Sequence, residues 1–348
     1  MKKFLLKLSY TVLPVFMLLF GLVLYITLYI SPRADTGDLG NLALIPFWAE
    51  YGQMIQKHEK KEVLFTKVNR TKDLRKIHVN VLTVGDSFSQ QENAGYQNYM
   101  PEQGLTVANC KRSLYDNPIQ YAYNIMDWGV VDSTNIDVMV VEVGERDFAG
   151  RIENFRVNKV EVPEPEILPN SGTKRNNSNE WSLLRARDFI LYRFANRSPV
   201  YVVDLKKDFF DSKEPRKLYF YYADIKNGLT IDKSIRPKVK DVFNLLSKKA
   251  RERGFALVLM LPVDKYDLYQ DYIIDNPYDT KRINEDVREL LGDVPEVMLC
   301  KYCLKPLIDK GEKDVFLFDN SHWSYKASKV VGIELSRRVK EIKNFVND

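Results

Sequence analysis

The feature that most constrains this chain is an uncharged apolar run near its N-terminus. Residues Leu8 to Ile30 form 23 consecutive positions without a charged side chain, rich in Leu, Val, Phe and Tyr. An α-helix rises about 1.5 Å per residue, so a run of this length spans the roughly 30 Å hydrocarbon core of a bilayer. The run predicts a transmembrane helix, and the rest of the chain is expected to fold as a unit tethered to a membrane.

The charges on either side of the run predict its orientation. Three lysines precede it and mixed charges follow it: Lys2, Lys3 and Lys7 before, Arg33, Asp35 and Asp38 after. Because positive flanks stay in the cytoplasm, we expect a single-pass protein of the cytoplasmic (inner) membrane, with everything after residue 31 periplasmic or otherwise extracytoplasmic. A cleavable signal peptide is the alternative, but its apolar region is usually shorter and no small-residue cleavage site follows Ile30.

The net charge of +5 is concentrated in one segment. Between Lys57 and Lys76, eight Lys or Arg residues stand against three acidic ones. We interpret the segment as a solvated basic stalk, and contact with anionic lipid headgroups or an acidic polymer is the alternative. Nucleic acid is a poor partner for an extracytoplasmic stalk, so none is expected.

From residue 77 onward, strand-like runs alternate with amphipathic helical patterns. The predicted strands are Val79–Val84, Leu105–Ala108, Ile136–Val143, Phe255–Leu261 and Val297–Cys300. Near-continuous apolar runs are typical of parallel strands covered on both faces. Apolar stripes at helical spacing stand between and after these strands: Val239, Val242, Phe243 and Leu246, then Val331, Leu335, Val339 and Ile342. The alternation predicts an α/β fold with a mostly parallel sheet.

One stretch breaks the alternation. Residues Glu161 to Glu180 concentrate Pro, Asn, Ser and charge, which predicts a loop, and the aromatic patch Leu218–Ile225 follows. We therefore expect an insertion at about 151–230. We also expect part of this aromatic patch to lie near the functional site. The predicted organisation is an anchor at 1–31, a stalk or linker at 32–76, and one α/β domain at 77–348.

The cysteines and histidines are too few for a disulfide framework or a zinc site. The chain has Cys110, Cys300 and Cys303, and only three histidines: His58, His78 and His322. Cys300 and Cys303 are spaced either for a small disulfide or as two strand-end thiols, and the sequence does not separate these alternatives. We expect no metal and no cofactor.

A serine follows the first predicted strand at a position that suits a nucleophile. The strand runs directly into Gly85, Asp86 and Ser87, which places Ser87 at its carboxyl end, where open α/β sheets bind ligands. The triplet alone is weak evidence, because Asp and Ser often cap helices and Gly is frequent in turns.

A carboxylate and an imidazole stand three residues apart just before the last helix. They are Asp319 and His322, in the sequence VFLFDNSHWSYKAS. His322 offers acid–base chemistry near neutral pH, and Asp319 could accept one imidazole N–H and leave the other nitrogen for a serine hydroxyl. The simpler alternative is that Asp319 or Ser321 caps the last helix.

Taken together, these motifs resemble the SGNH (GDSL-like) hydrolase superfamily, and more closely the branch that includes the alginate O-acetylation proteins of bacterial envelopes. The resemblance covers roughly residues 77 to 345. GDSF at 85–88 is similar to the nucleophile block, and DNSHW at 319–323 to the terminal Asp-x-x-His block with its trailing Trp. The implied fold is flavodoxin-like, with three layers and a five-stranded, mostly parallel sheet in the order 2-1-3-4-5. In that order Cys110 and Cys300 end strands at opposite edges, so no disulfide is expected between them.

The resemblance implies Ser87 as nucleophile, His322 as general base and acid, and Asp319 as the orienting carboxylate. Gly95, in ENAGYQNY, is the best match for the glycine amide of the oxyanion hole, with the Ser87 amide as a second donor. In the third block, EVGER replaces the usual G-x-N-D, so the Asn donor of many members is missing. The run is similar to the E-x-x-E-R of the acetyltransferase branch, which makes Arg146 a candidate for holding substrate, and a surface ion pair is the alternative. The further oxyanion or substrate-binding candidates are Asn109, Glu145 and Trp323.

Three functions compete. The first is O-acyl transfer, expected to be O-acetyl transfer, in which Ser87 carries the acyl group to an extracytoplasmic polysaccharide. The resemblance implies a multi-pass membrane acyltransferase as the partner that supplies this group. The second is an esterase or deacetylase of envelope glycans that uses the same residues, and the third is a non-catalytic scaffold of a polysaccharide assembly machine. We favour the first.

Overall fold

The structure of this chain, a computed structural model, describes residues 2–26, 37–43, 62–157 and 183–347. The strands in these ranges are β1 (Thr66–Val68), β2 (Val81–Gly85), β3 (Val107–Cys110), β4 (Val138–Glu142), β5 (Val200–Asp204), β6 (Lys217–Tyr221), β7 (Ala256–Leu261) and β8 (Val297–Leu299). The α-helices are α1 (Lys2–Tyr25), α2 (Asp38–Ala43), α3 (Pro118–Asp127), α4 (Glu145–Glu153), α5 (Leu183–Phe194), α6 (Ala223–Lys226), α7 (Arg236–Glu252), α8 (Lys265–Tyr269), α9 (Ile283–Leu291), α10 (Cys300–Asp309) and α11 (Tyr325–Asn347). Short 3-10 turns cover Thr71–Lys76, Ser87–Gln90, Glu92–Ala94, Tyr96–Tyr99, Pro101–Gln103, Arg112–Leu114 and Gln270–Tyr272.

A central sheet of six parallel strands organises the chain, in the order β1-β3-β2-β4-β7-β8. The predicted α/β class and parallel sheet are confirmed, and each of the five predicted strands has a counterpart. The five-stranded count is not matched, because β1 adds a sixth strand that pairs Thr66 with Ala108. Three residues, of which only Val68 is buried, leave no periodic signal in the sequence. Since β1 falls inside the predicted stalk, the folded domain begins before residue 77.

Side chains of successive strand residues point to opposite faces, and both faces of the sheet are buried. Val138, Val140 and Met260 join one apolar cluster, whereas Met139 and Val141 join the other. Helices cover each face, so the sheet lies between two helical layers. The predicted stripes of α7 and α11 face these clusters, and Val331, Leu335 and Val339 of α11 are fully buried.

The region predicted as an insertion contains an antiparallel hairpin, β5 paired with β6, outside the main sheet. Its strand β6 comes from the aromatic patch, and the Tyr219 ring lies 5.1 Å from the Phe318 ring, next to the predicted Asp-x-x-His block. The predicted loop at 161–180 lies outside the described residues.

One described helix, over Lys7–Tyr25, is long and apolar enough to cross a membrane, with a mean hydropathy of 2.0. Near its end Val23 and Ile26 pack against Ala186 of α5. Residues 27–30 of the predicted span lie outside the described ranges.

All three cysteines are free thiols. Burial raises the pKa of the Cys110 thiol, and the Cys303 thiol donates to the Cys300 carbonyl at 3.2 Å. Cys110 ends β3 and Cys300 begins α10 directly after β8, on opposite sides of the sheet centre.

Candidate active site

Ser87 opens a 3-10 turn at the carboxyl end of β2, and its side chain is exposed. The strand ends at Gly85, where there is no room for a side chain. A Cβ at Gly85 would lie 2.2 Å from the Ser89 hydroxyl and 2.4 Å from Glu142 Oε2. The glycine of the GDS triplet is therefore a packing requirement of the turn that presents Ser87.

Buried polar groups hold this turn from below. Glu142 Oε2 accepts the Ser89 amide at 3.0 Å, and Asn109 Nδ2 donates to the Ser89 carbonyl at 2.8 Å. Asn109 Oδ1 accepts a hydrogen bond from the Thr83 hydroxyl at 2.7 Å. Asn109, predicted as an oxyanion or substrate-binding residue, fixes the backbone of the Ser87 turn, and both ends of its amide are engaged.

Carboxylates beside and beneath Ser87 have perturbed acidity. Burial and the neighbouring carboxylate of Asp86 together raise the pKa of Glu142 to about 8, although the hydrogen bonds from Ser89 oppose this shift. Burial also raises the pKa of Asp86, although Arg151 and Arg112, each 3.2 Å away, oppose this. Asp86 thus links the Ser87 turn to two arginines.

His322 lies on the loop before α11, and Asn320 fixes its ring. Asn320 Oδ1 is 2.6 Å from His322 Nδ1 and also accepts the His322 amide at 3.0 Å. A side-chain amide oxygen only accepts, so in the neutral ring Nδ1 carries the proton and Nε2 keeps a lone pair. This is the tautomer that a general base needs.

The Ser87 turn and the His322 loop meet, although 235 positions separate the two residues in the sequence. The ring of Phe88, the residue after Ser87, lies 5.0 Å from the His322 ring and 4.4 Å from the Trp323 ring. Gln91 Nε2 also donates to the Trp323 carbonyl at 2.9 Å. Among the described residues, no hydrogen bond joins the Ser87 hydroxyl to His322. Their two segments are in contact at the carboxyl edge of the sheet.

In the described part of the chain, no hydrogen bond or ion pair joins the Asp319 carboxylate to the imidazole of His322. This buried carboxylate accepts the Gly37 amide at 2.8 Å, and the Asp319 carbonyl accepts the Leu39 amide at 3.1 Å. Among the described residues, the carboxylate that pairs with His322 belongs to Asp38, whose Oδ2 is 3.6 Å from Nδ1. The geometry therefore favours Asn320 and Asp38, which the sequence analysis missed, as the polar neighbours of His322.

The buried side chain of Lys265 also holds the loop that carries His322. Lys265 Nζ donates to the carbonyls of Leu317 and Phe318 at 2.7 and 2.8 Å, and lies 3.3 Å from that of Asn320. Burial lowers the pKa of Lys265 to about 7, and the nearby Asp319 carboxylate opposes that shift. The loop is thus fixed by a cationic group whose charge changes near neutral pH.

Charged side chains from two helices shift the pKa of the His322 imidazole. Burial lowers the pKa of His322, the Asp38 carboxylate of α2 raises it, and the Arg146 guanidinium of α4 lowers it. The net pKa falls below the ordinary value of 6.5, so the ring is neutral at pH 7 and competent as a base.

Arg146 forms ion pairs, as one of the two alternatives from the sequence predicts, but these pairs are buried and do not lie at the surface. It pairs with Asp224 at 2.8 Å and with Asp264 at 3.1 Å, and both carboxylates are fully buried. Its guanidinium carbon lies 5.5 Å from the ring centre of half-exposed Tyr221, and 11% of its side chain is exposed. Arg146 lies between a buried ion-pair network and the His322 side of the site.

Three other predicted site residues serve the framework. The Gly95 amide donates to the Glu92 carbonyl at 3.0 Å and closes a 3-10 turn, so it is not free for an oxyanion. Glu145 is fully buried, where it accepts the Asp264 amide at 2.7 Å. Trp323 is also fully buried and packs against Phe88.

The two residues that sequence reasoning missed had weak signals. Asn320 lies inside the DNSHW motif, and its spacing two positions before His322 allows a local side-chain turn. Asp38 lies beyond the apolar run and stands out in the sequence only as a flanking charge.

Comparisons with models of known protein families, with curated proteins and with solved structures find no match for this chain.

Proposed function

We propose that this chain is a membrane-anchored O-acyltransferase of the SGNH type, which transfers acetyl groups to an extracytoplasmic polysaccharide through an acyl-Ser87 intermediate. One observation carries the proposal: the tight strand-end turn that exposes Ser87 packs, through the ring of Phe88, against a histidine that is held in the general-base tautomer. The strands β3-β2-β4-β7-β8 follow the SGNH order 2-1-3-4-5, which supports the same assignment.

In the proposed reaction, the Ser87 oxygen attacks the carbonyl carbon of an acyl donor while His322 Nε2 takes the hydroxyl proton. The resulting imidazolium protonates the leaving group, and an ester remains on Ser87. A sugar hydroxyl then attacks the acyl carbon of this ester and loses its proton to Nε2. The bond between the acyl carbon and the Ser87 oxygen breaks, the imidazolium returns the proton to that oxygen, and the acylated sugar leaves. The Ser87 amide is the proposed oxyanion donor, because the Gly95 amide is already bonded.

The rim beside His322 suits a sugar acceptor. The Tyr221 and Tyr222 rings meet edge to face at 4.7 Å, and both residues are half-buried. With the Arg146 guanidinium next to Tyr221, the rim combines apolar ring faces with hydrogen-bond donors. A multi-pass membrane acyltransferase is the proposed supplier of the acyl group, on the extracytoplasmic side of the membrane.

The test is to trap the acyl-enzyme. Full-length protein in detergent is mixed with a chromogenic acetyl ester, quenched, and analysed by peptide mass spectrometry. We expect acetyl on the peptide with Ser87 in the wild type and none after Ser87→Ala. The matched control is Ser113→Ala, at an exposed serine of a nearby 3-10 turn. Equal acetylation of the wild type and Ser87→Ala would falsify the proposal.

Hydrolysis is the second candidate, because the exposed Ser87 side chain lies open to water as well as to sugars. An added oligosaccharide acceptor separates the two reactions. Transfer predicts that the acceptor becomes acetylated and speeds loss of the acyl-serine, whereas hydrolysis predicts release of acetate alone. Unchanged glycan acetylation in cells that carry His322→Ala would instead favour the non-catalytic scaffold.

A further inference from the structure

The loop that carries His322 is held by the short segment that follows the membrane helix. We call residues Gly37–Ala43 the juxtamembrane segment. The Gly37 amide donates to the Asp319 carboxylate at 2.8 Å, and the amides of Leu39 and Gly40 donate to the Asp319 carbonyl at 3.1 and 3.3 Å. These three hydrogen bonds to Asp319 fix the segment against the loop.

The approach is too close for any residue but glycine at the first contact. A Cβ at Gly37 would lie 2.3 Å from the Asp319 carbonyl oxygen and 2.7 Å from its carboxylate carbon. Both obstacles lie on a buried residue, so neither can move aside cheaply. The juxtamembrane segment is thus packed into the loop as tightly as an internal element.

Asp38 makes the contact that bears on chemistry. Its Oδ1 accepts the Ser321 amide at 2.7 Å, and its Oδ2 accepts the Ser321 hydroxyl. The same Oδ2 is 3.6 Å from His322 Nδ1. Asp38 therefore holds the residue before the histidine and also puts a negative charge beside the imidazole ring.

Asp319 binds the juxtamembrane segment and does not orient the imidazole. Its Oδ2 is bonded to the Gly37 amide, and its buried Oδ1 has no hydrogen-bond partner among the described residues. The charged groups that act on His322 are Asp38 from α2 and Arg146 from α4, with opposite effects. Within the residues that the structure describes, Asp38 is thus the carboxylate whose negative charge can offset the positive charge of Arg146 when the His322 ring becomes an imidazolium.

We propose that the juxtamembrane segment is a working part of the active site, in which Asp38 is a positioning residue that orients His322 and stabilises its protonated form during acyl transfer. Asp319 anchors the segment to the histidine loop. Activity then depends on the chain directly beyond the anchor, and not on the α/β domain alone. The inference rests on the proposed function, since it assigns a role in the same reaction.

The test is the pH–rate profile of Asp38→Asn in full-length protein, with a chromogenic acetyl ester as substrate. We expect kcat/KM to fall about 10- to 100-fold, and the lower apparent pKa of the profile to move down, because the imidazolium loses its carboxylate neighbour. Asp38→Glu should restore part of the rate and move the apparent pKa back. The control is Asp116→Asn, at an exposed acid away from His322, which should behave as the wild type.

Gly37→Ala tests the segment without touching a charge. It should lower kcat/KM and shift the profile in the same direction, because the added methyl group displaces Asp38 from the ring. The matched control is Gly150→Ala on α4, where a Cβ meets nothing within 4 Å. Thermal unfolding of each variant shows whether it remains folded.

The outcomes separate this inference from the proposed function. An unshifted profile for Asp38→Asn, together with acylation of the wild type but not of Ser87→Ala, overturns the role of Asp38 and leaves acyl transfer standing. A variant with lower stability and rate but an unshifted pKa also overturns it, because its role would then be structural only. Acylation that persists in Ser87→Ala instead removes the proposed function itself.

Discussion

Replacing Arg146 by methionine tests whether this residue stabilises the fold through its buried ion pairs. The change removes the guanidinium that contacts Asp224 and Asp264, both of which are fully buried. Asp264 keeps Lys281 at 2.6 Å, whereas Asp224 loses its only ion-pair partner among the described residues. The variant therefore leaves one buried carboxylate without a counter-ion, and not two.

That count sets the expected magnitude. Removing one partner of a buried pair costs about 3–5 kcal/mol, and we expect the lower end because a single carboxylate is orphaned. For a domain of this size such a loss corresponds to a fall in Tm on the order of 5–10 °C. The control Arg187→Met removes an exposed pair with Asp188 and should change the unfolding free energy by under about 1 kcal/mol.

The pH dependence gives the prediction a sign. Burial raises the pKa of Asp224 to about 7, and Arg146 opposes that shift, so the variant should raise this pKa further. A carboxyl whose folded pKa lies above its unfolded value stabilises the fold less as pH rises between the two values. The stability deficit of Arg146→Met should therefore widen from pH 6 to pH 9 and shrink toward pH 5.

The assay is thermal unfolding of full-length protein in detergent, followed by tryptophan fluorescence at several pH values. The double variant Arg146→Met with Asp224→Asn should recover most of the lost stability, because the orphaned charge is gone. Wild-type stability in Arg146→Met, or no recovery in the double variant, would refute the structural role and favour an arginine kept only for substrate.

Three shorter predictions follow from other contacts. Gly85→Ala should lower the acylation rate more than 10-fold with little loss of secondary structure, as measured by ester turnover and circular dichroism, because the new methyl group displaces the Ser89 side of the turn. Gly332→Ala should lower Tm by several degrees in a thermal melt, since its Cβ would meet a backbone carbonyl oxygen at 2.5 Å. Urea titrations should show wild-type stability rising from about pH 7 toward pH 10, because the unfolded chain keeps the proton that buried Lys265 releases, and Lys265→Met should lack that rise.

The fold was predictable where the sequence repeats a physical pattern. Strands β4 and β7 are near-continuous apolar runs because both of their faces are buried, and the stripe of α11 recurs at helical spacing because one side packs on the sheet. Strand β1 was not predictable, because three residues with one buried side chain have no period. Its place in the sheet comes from pairing with β3, a long-range contact that no local signal encodes.

The candidate site divides in the same way. Ser87 and His322 could be named because their motifs stand at a strand end and before a helix. The roles of Gly95 and Asp319 could not, because they depend on which backbone groups reach them in three dimensions. Asp38 was invisible for the same reason, since its partner Ser321 is 283 positions away.

The contact between Asp38 and the histidine loop limits how far from the membrane the site can work. Twelve positions separate Ile26, at the end of the described apolar helix, from Asp38. A fully extended chain covers at most about 3.5 Å per residue, so this tether reaches roughly 40 Å. In the proposed topology the site is confined to a thin layer next to the bilayer. A donor embedded in the membrane would meet it at a high effective concentration, whereas a finished polymer would have to enter that layer to be modified.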